Sequence, residues 1–389
     1  MYGLIAWQPA WAWAWLAASV PVGGNYGRHE VLVSTQQAWI NSGLWVALGQ
    51  TFSVQLNPGL WEQSGHPECA SGIWFQVGMA FKARPRCLVV QQVQRALRSG
   101  IVYFTAQPFT AHGRRKARLT KPVSVTVMVV SASGQTAPTL DLDALIVADF
   151  NQSHSGWVEV YDGHIVLTLP VSELRQNILA LWAALRRLNQ FYAAYADLFS
   201  DRMLAVPPMV RLSPVASLPS PISMVAGFPI RFLTSELDTL GAGFWALGYE
   251  SEPKYWWGYA HEIAHMFQQP WEIWPHPEAW PNLLVAYAQE QLGLALRPAQ
   301  QQCQAIQLPL GQRLQMQALA TKLRSSPWLS LCYLQQMVDA YGWAVFRRYA
   351  GLVLKPSSRA GGQNLAELHQ VLQHLSQTQA VSNEHRFER

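Results

Sequence analysis

Charge is what this chain has least of: Asp, Glu, Lys and Arg make up 13% of its 389 residues, against about 25% in an average soluble domain. With half of the residues apolar, that scarcity excludes a disordered or low-complexity protein. Cysteine is nearly as sparse. Cys69, Cys87, Cys303 and Cys332 show no CxxC spacing, which argues against a zinc knuckle or a redox motif. One pair falls in each half of the chain, compatible with two local disulfides or with buried thiols. No basic side chain precedes Arg28, so the apolar, tryptophan-rich stretch 2–22 lacks the positive region of a secretory signal. Pro9 disfavours a spanning helix there, and the stretch reads either as a signal-peptide remnant or as a segment packed on the body of the protein, the second being slightly favoured. No other segment is apolar for long enough to cross a bilayer, and no internal repeat is present.

The net charge of +5 is partly local, because "HGRRKARLTK" (112–121) holds Arg114, Arg115, Lys116, Arg118 and Lys121. Such a run reads as a solvated loop between strands, with contact to an acidic polymer as the alternative. Without interleaved aromatics it gives no nucleic-acid footprint.

The first third of the chain carries β-structure. "SGLWVALGQTFSVQL" (42–56), "SGIWFQVGMAF" (71–81), "SGIVYFTAQPF" (99–109) and "KPVSVTVMVVSA" (121–132) are β-branched and aromatic runs separated by Gly and Pro. They predict a sandwich-like module. "WVEVYDGHIVLTL" from 157 predicts two strands turning at Asp162-Gly163, both tolerant of positive φ. The spacing then changes, and 172–199 predicts a helix with Ser172 as its cap. A proline-rich connection (207–221) and a strand (222–233) follow, and from 255 the chain reads as mostly helical. The expected division is a β-rich module over 1–135, a second domain over 136–355 and a polar tail over 356–389.

Within the helical half, "WWGYAHEIAHMFQ" (256–268) contains "HEIAH". Side chains four apart share a helix face, so His261 and His265 point at one metal with Glu262 beside them. Pro270 stops the helix. A catalytic zinc needs a third protein ligand and an open position. Downstream lie Glu272, His276 and Glu278, of which Glu278 opens the next apolar-periodic helix, with Pro281 tolerated in its first turn. The other two fall in a Trp- and Pro-rich loop, whereas Glu278 is held on rigid structure. Asn282, one turn later, is placed to orient the ligands by hydrogen bonding.

These residues make the chain similar to the enhancin-like, mucin-degrading zinc metallopeptidases of peptidase family M-60, whose pattern is HExxH, a variable gap and then Glu. The likeness extends to "SGLWVALGQTFSVQL", "SGIWFQVG", "SGIVYF", the hairpin "WVEVYDGHIVLTLP", "ISMVAGFPI", "EAWPNLLVAYAQE" and "LQQMVDAYGWAVFRRYAG" (334–351), in family order over roughly 40–350. Ala264 stands where the family usually has Gly and Met266 where it commonly has Asn, and the chain after 355 matches poorly. The resemblance implies an α+β protein: an N-terminal β-sandwich-like module, then a zincin-type metallopeptidase domain with a mixed sheet and a mostly helical C-terminal half. It also implies a secreted or cell-surface endopeptidase whose substrate is an O-glycosylated, mucin-like glycoprotein.

On this reading Zn2+ sits on His261, His265 and Glu278, and Glu262 is the catalytic base that takes the proton of the attacking water. Tyr249, Tyr255 and Tyr259 are candidates for a hydrogen bond to the developing oxyanion. Trp256, Trp257, Trp271, Trp274 and Tyr259 are the substrate-binding candidates, and Trp280 is a further tryptophan flanking the site. Sugars stack on such aromatic faces. The segment "AGFPIRF" is a candidate edge strand for an extended substrate. Two other readings stand beside this one. A glycan-binding, adhesin-like relative would have no need of Glu262, and a zinc aminopeptidase would need an acidic anchor such as Glu250 or Glu252.

Overall fold

The computed structural model describes residues 28–34, 39–56, 69, 71–78, 85–89, 92–106, 124–131, 135–142, 155–199, 207, 209–220, 223–227, 229–238, 243–249, 252–268, 276–294, 303, 319, 322–353, 373–374 and 377. The N-terminal segment 2–22, the basic run 112–121, Glu250, Trp271, Glu272, Trp274 and most of the tail lie outside these. The fold is α+β. The chain forms two compact units, one of residues up to 162 with 166–176 and 211–215, the other of 163–165, 177–210 and 216 onward. The described residues 136–142 and 155–162 fall in the first unit.

The first unit contains two facing sheets. One has the order β1 (Arg28–Ser34), β8 (Ser124–Val130), β3 (Thr51–Leu56), β6 (Val93–Arg95); the other has β5 (Arg86–Cys87), β4 (Ile73–Val77), β7 (Gly100–Ala106), β2 (Ile40–Val46), β9 (Gln135–Thr136). The strands alternate because one face is buried. Val31, Val33, Phe52, Val54, Val127 and Val129 from the first sheet meet Leu44, Val46, Ile73, Phe75, Val102 and Phe104 from the second. The rings of Phe52 and Phe75 meet edge-on at 5.7 Å. Cys69 and Cys87 form a disulfide.

The same unit holds β10 (Thr139–Asp141), β11 (Trp157–Asp162), β12 (Ile165–Pro170) and β13 (Val210–Val215), adjacent in that order, with β10 and β11 parallel. The β11–β12 turn is one residue later than the sequence implies. Its loop is Gly163-His164, and Gly163 takes the positive φ of 58°. The proline-rich connection also differs from expectation, since its Val210–Val215 portion is a buried strand. The physical reason is Arg211. It is buried in an ion pair with Glu159, whose carboxylate also accepts from Tyr103 (2.7 Å), Thr168 (3.1 Å) and Thr139 (3.2 Å). Arg211 donates a further bond to the Trp39 carbonyl at 2.8 Å. A charge so buried persists only when it is paired and hydrogen-bonded.

Helix α1 runs Val171–Leu198, so Ser172 lies inside its first turn and is not the cap. Its backbone breaks from helical geometry at Asn177, where the second unit takes over. That unit contains β14 (Met224–Val225) antiparallel to β15 (Ile230–Leu233), the short helix α2 (Ser235–Asp238), α3 (Pro253–Phe267), α4 (Ala279–Leu292), α5 (Pro327–Tyr341) and α6 (Trp343–Val353). The strand expected over 222–233 is thus two short strands, parted at Gly227 with φ of 155°. α3 buries Trp256, Ala260, Ile263 and Phe267 at helical spacing. Against that stripe α1 sets Phe191 on Trp256 and Tyr195 on Phe267. α4 is buried almost all round, and α5 and α6 cover it with Leu331, Leu334, Met337, Val345 and Phe346. Cys303 and Cys332 are joined in a disulfide. No described helix is long and apolar enough to cross a membrane.

Candidate metal centre

α3 starts at Pro253, whose fixed φ suits the first helical position, and ends at Gln268, whose extended backbone stops the helix. On this rigid rod His261 and His265 are one turn apart. Glu278 sits at the N-terminal boundary of α4. The three side chains converge: Nε2 of His261 lies 2.9 Å from Oε2 of Glu278, Nε2 of His265 lies 3.2 Å from that oxygen, and the two Nε2 atoms are 3.1 Å apart. Ligands held tetrahedrally by zinc at about 2.0 Å stand about 3.3 Å from each other, so the spacing nearly matches that of a bound ion.

The ring nitrogen that always carries hydrogen is set by neighbours. Asn282 donates its amide N–H to the Glu278 carbonyl at 2.7 Å, which turns its Oδ1 toward Nδ1 of His261 at 3.1 Å. Gln268 donates to the Pro277 carbonyl at 2.7 Å, which turns its Oε1 toward Nδ1 of His265 at 2.9 Å. An amide oxygen only accepts, so each Nδ1 carries a hydrogen, and whenever a ring is neutral its lone pair is on Nε2. Two such lone pairs and a carboxylate oxygen facing one another repel unless a cation stands among them. The residues therefore fit zinc. Protons compete for the same place: where Nε2 is protonated instead, hydrogen bonds from His261 and His265 hold the Glu278 carboxyl far below the usual carboxylate range. Burial works to lower His265, but the hydrogen bond and charge of Glu278, with help from Gln268, outweigh it and raise its pKa.

Glu262, beside His261, does not join this cluster. Burial pushes its carboxyl upward, a shift that the charges of the two histidines and the backbone N–H of Ala226 oppose without cancelling. Ala226 follows β14, so the strand end holds the carboxylate in place. A carboxyl raised in this way is better matched to proton transfer near neutral pH.

The remaining sequence candidates separate. His276 accepts the Glu278 backbone N–H on its Nδ1 at 3.2 Å, and so shapes the turn before α4. Trp256 is wholly buried against Phe191, and Trp280 is buried near Phe346; neither offers a face to a sugar, because their burial fills the core. Tyr259 is also buried, between Phe232 and Phe244, which removes it as a substrate platform. Trp257 is half-buried and stacks on the His261 ring at 4.7 Å, with Trp328 of α5 at 6.3 Å. Tyr249 is exposed, and the Lys254 ammonium lies over the Tyr255 ring. Gln268, Ala226 and Tyr195, whose hydroxyl donates to the Ala260 carbonyl at 3.0 Å, were not foreseeable as parts of this arrangement, except that Gln268 stands one turn beyond His265 just before a helix-stopping Pro.

The fold is shared with other proteins. The fold resembles a conserved protein of unknown function from Bacillus anthracis str. Ames (12% identity, TM-score 0.59, covering 90% of this chain and 73% of that one). It also resembles the ZmpB metallopeptidase from Clostridium perfringens (12% identity, TM-score 0.52, 87% and 69%). A third likeness is to IMPa from Pseudomonas aeruginosa, solved in complex with an O-glycopeptide (13% identity, TM-score 0.53, 92% and 49%). No match was found among curated proteins. The family described as Peptidase M60, enhancin and enhancin-like matches residues 148–380, a span that contains His261, Glu262, His265 and Glu278. The chain belongs to the Peptidase M60, enhancin and enhancin-like family.

Proposed function

We propose that the protein is a zinc-dependent endopeptidase acting on O-glycosylated, mucin-like protein. The observation that carries this reading is the meeting of three lone pairs, from His261, His265 and Glu278, whose tautomers are held by Asn282 and Gln268. His261, His265 and Glu278 would hold the ion, which when bound supplies Lewis-acid polarisation of the scissile carbonyl and acidifies water. Glu262 accepts the proton of the attacking water and passes it to the leaving amine. The bond from Ala226 and the rigid α3 keep that carboxylate aimed while it does so. β14 ends at this carboxylate, which suits a substrate lying extended beside the strand.

The glycoprotein substrate rests on likeness to metallopeptidases solved with an O-glycopeptide or with Tn antigen. Of the described tryptophans flanking α3, Trp257 is the one partly open beside the ligands. Two disulfides fit an oxidising compartment, as a secreted or cell-surface protein meets. The aminopeptidase reading has less support, since Glu252 is exposed and paired with Lys254 at 2.8 Å.

The test uses one N-terminally blocked peptide made with and without O-linked sugars. Faster cleavage of the glycosylated form, with the gap narrowed in Trp257→Ala at unchanged zinc content, is the expected result. Equal cleavage of both forms would leave an endopeptidase with no glycan requirement, and no cleavage of the blocked peptide would return the aminopeptidase.

A further inference from the structure

One buried ionisable group of the first unit stands outside the network around Glu159. Among the described strands β1 pairs only with β8, so it is an edge of the four-stranded sheet. Its inward positions alternate as His29, Val31 and Val33, all of them buried. An imidazole thus stands where the pattern calls for a third valine. A buried polar group is ordinarily hydrogen-bonded, but neither ring nitrogen of His29 has a partner among the described residues, and both are shut off from solvent. The ring sits on Gly43 of β2 in the facing sheet, where a Cβ would stand 3.0 Å from Nδ1. Gly43 has φ of 74° and lies in the irregular stretch of β2 between Asn41 and Trp45. No group nearby could balance a charge on the ring. The strands packed on β1 are β8, β2 and β7. β8 (SVTVMVV) and β2 (INSGLWV) hold no charged or titratable side chain. β7 brings Tyr103, which alternates with Val102 and Phe104 of the sandwich core, so Tyr103 and the Glu159 it bonds lie on the other face of that sheet. On β1 itself Glu30 is exposed and, one residue along, faces the other way, while Arg28 has the wrong sign.

We propose that His29 is an acid-operated latch: when its ring takes a proton, β1 leaves the edge of the four-stranded sheet. A neutral ring fits its place with one N–H unmatched. A protonated ring brings a second N–H and a charge, and nothing there pairs with either. Burial accordingly holds the seated ring below the ordinary histidine value of 6.5. An edge strand can open while the rest of its sheet stays folded. Once released, His29 is solvated and titrates near its ordinary value, so in mild acid the released strand binds more protons than the seated one. The seating of β1 is therefore at full strength above about pH 6.5. It weakens as the pH falls toward the lowered value of the seated ring, by up to about tenfold per pH unit in the closed-to-open ratio.

Amide hydrogen exchange of the whole chain, read by peptide mass from about pH 7.5 to about pH 5.0 and referred to the intrinsic exchange rate at each pH, measures this opening. His29→Gln keeps a neutral polar side chain, His29→Val continues the valine pattern, and neither can take a proton. In the parent, protection of β1 is expected to fall by about threefold or more over this range. In both variants it should hold, and β7, central in the other sheet, should stay protected in all three chains. Protection of β1 that is constant with pH in the parent, that falls equally in the variants, or that is lost together with that of β7 would each overturn the proposal. Should neither variant fold, the imidazole resonances of the parent decide. The ring correlated with the His29 amide must titrate below 6.5 and in step with the loss of protection in β1; an ordinary value, or a titration out of step, would also overturn it. The readout is confined to the first unit, so it depends neither on zinc nor on peptidase activity.

Discussion

At the scale of single residues, the metal centre depends on two amides as much as on its three ligands. Gln268 and Asn282 each use the amide nitrogen on a backbone carbonyl and the oxygen on an imidazole. Removing either oxygen lets the ring turn or change tautomer. Gln268→Ala and Asn282→Ala are expected to weaken zinc binding by about 10–100-fold, measured by competition with a chromogenic chelator, whereas Glu278→Ala should lose most of the metal. Zinc affinity unchanged in both amide variants would show that the rings are held by packing alone. Glu262→Gln keeps the shape of the base but cannot take a proton, so zinc should remain while hydrolysis falls by about 10²–10⁴-fold. A near-normal rate would remove Glu262 from the chemistry. How much of this was legible follows from sequence distance. His261, Glu262 and His265 are visible because a helix makes i and i+4 neighbours, and Asn282 because it stands one turn from Glu278. Ala226 and Tyr195 reach α3 from a strand end and from α1, and no local pattern marks them.

At the scale of elements, strands with clean alternation were legible and those whose reason to be strands lies elsewhere were not. β3, β4, β7 and β8 fall inside the runs read from Val, Ile and aromatic residues, and β2 begins two residues before its run. β13 was hidden because Arg211 and Pro214 argue against a strand locally, and the partner that makes Arg211 tolerable, Glu159, is 52 residues away. The β11–β12 turn slipped by one residue because Asp162-Gly163 and Gly163-His164 are both plausible loops until strand pairing chooses. Close packing of elements is equally invisible in sequence. Gly248, after the short turn Phe244–Ala246, lies so near α1 that a Cβ there would stand 2.4 Å from the Ala183 carbonyl carbon and Cβ. Gly248→Ala must push backbone against backbone, and overpacking of this kind costs about 1–3 kcal/mol or more. The denaturant midpoint should fall accordingly with its slope unchanged. An unaltered midpoint would mean that α1 and this turn separate freely.

At the scale of the whole molecule, each compact unit carries one cross-link, Cys69–Cys87 in the first and Cys303–Cys332 in the second, closing 18 and 29 residues of sequence separation. The four cysteines taken alone allowed either thiols or disulfides, because pairing depends on Cα distances that only the fold supplies, here 5.3 and 4.8 Å. Loops of these lengths restrict the unfolded chain by about 3 kcal/mol each in the chain-entropy account. The two cross-links should nevertheless differ in what they protect. All three zinc ligands and Glu262 belong to the second unit, so Cys69→Ala with Cys87→Ala should lower the stability of the sandwich by about 3 kcal/mol while zinc content stays whole. Cys303→Ala with Cys332→Ala removes the tie between Cys303 and α5, whose Leu331, Leu334 and Met337 share a core with Ala279, Trp280 and Leu283 of α4. That variant should release zinc at a lower denaturant concentration than the parent. Zinc release and tryptophan emission followed together through a guanidinium titration separate the two cases, and release shifted equally by both pairs of substitutions would mean that the ligand set is not stabilised through α4 and α5.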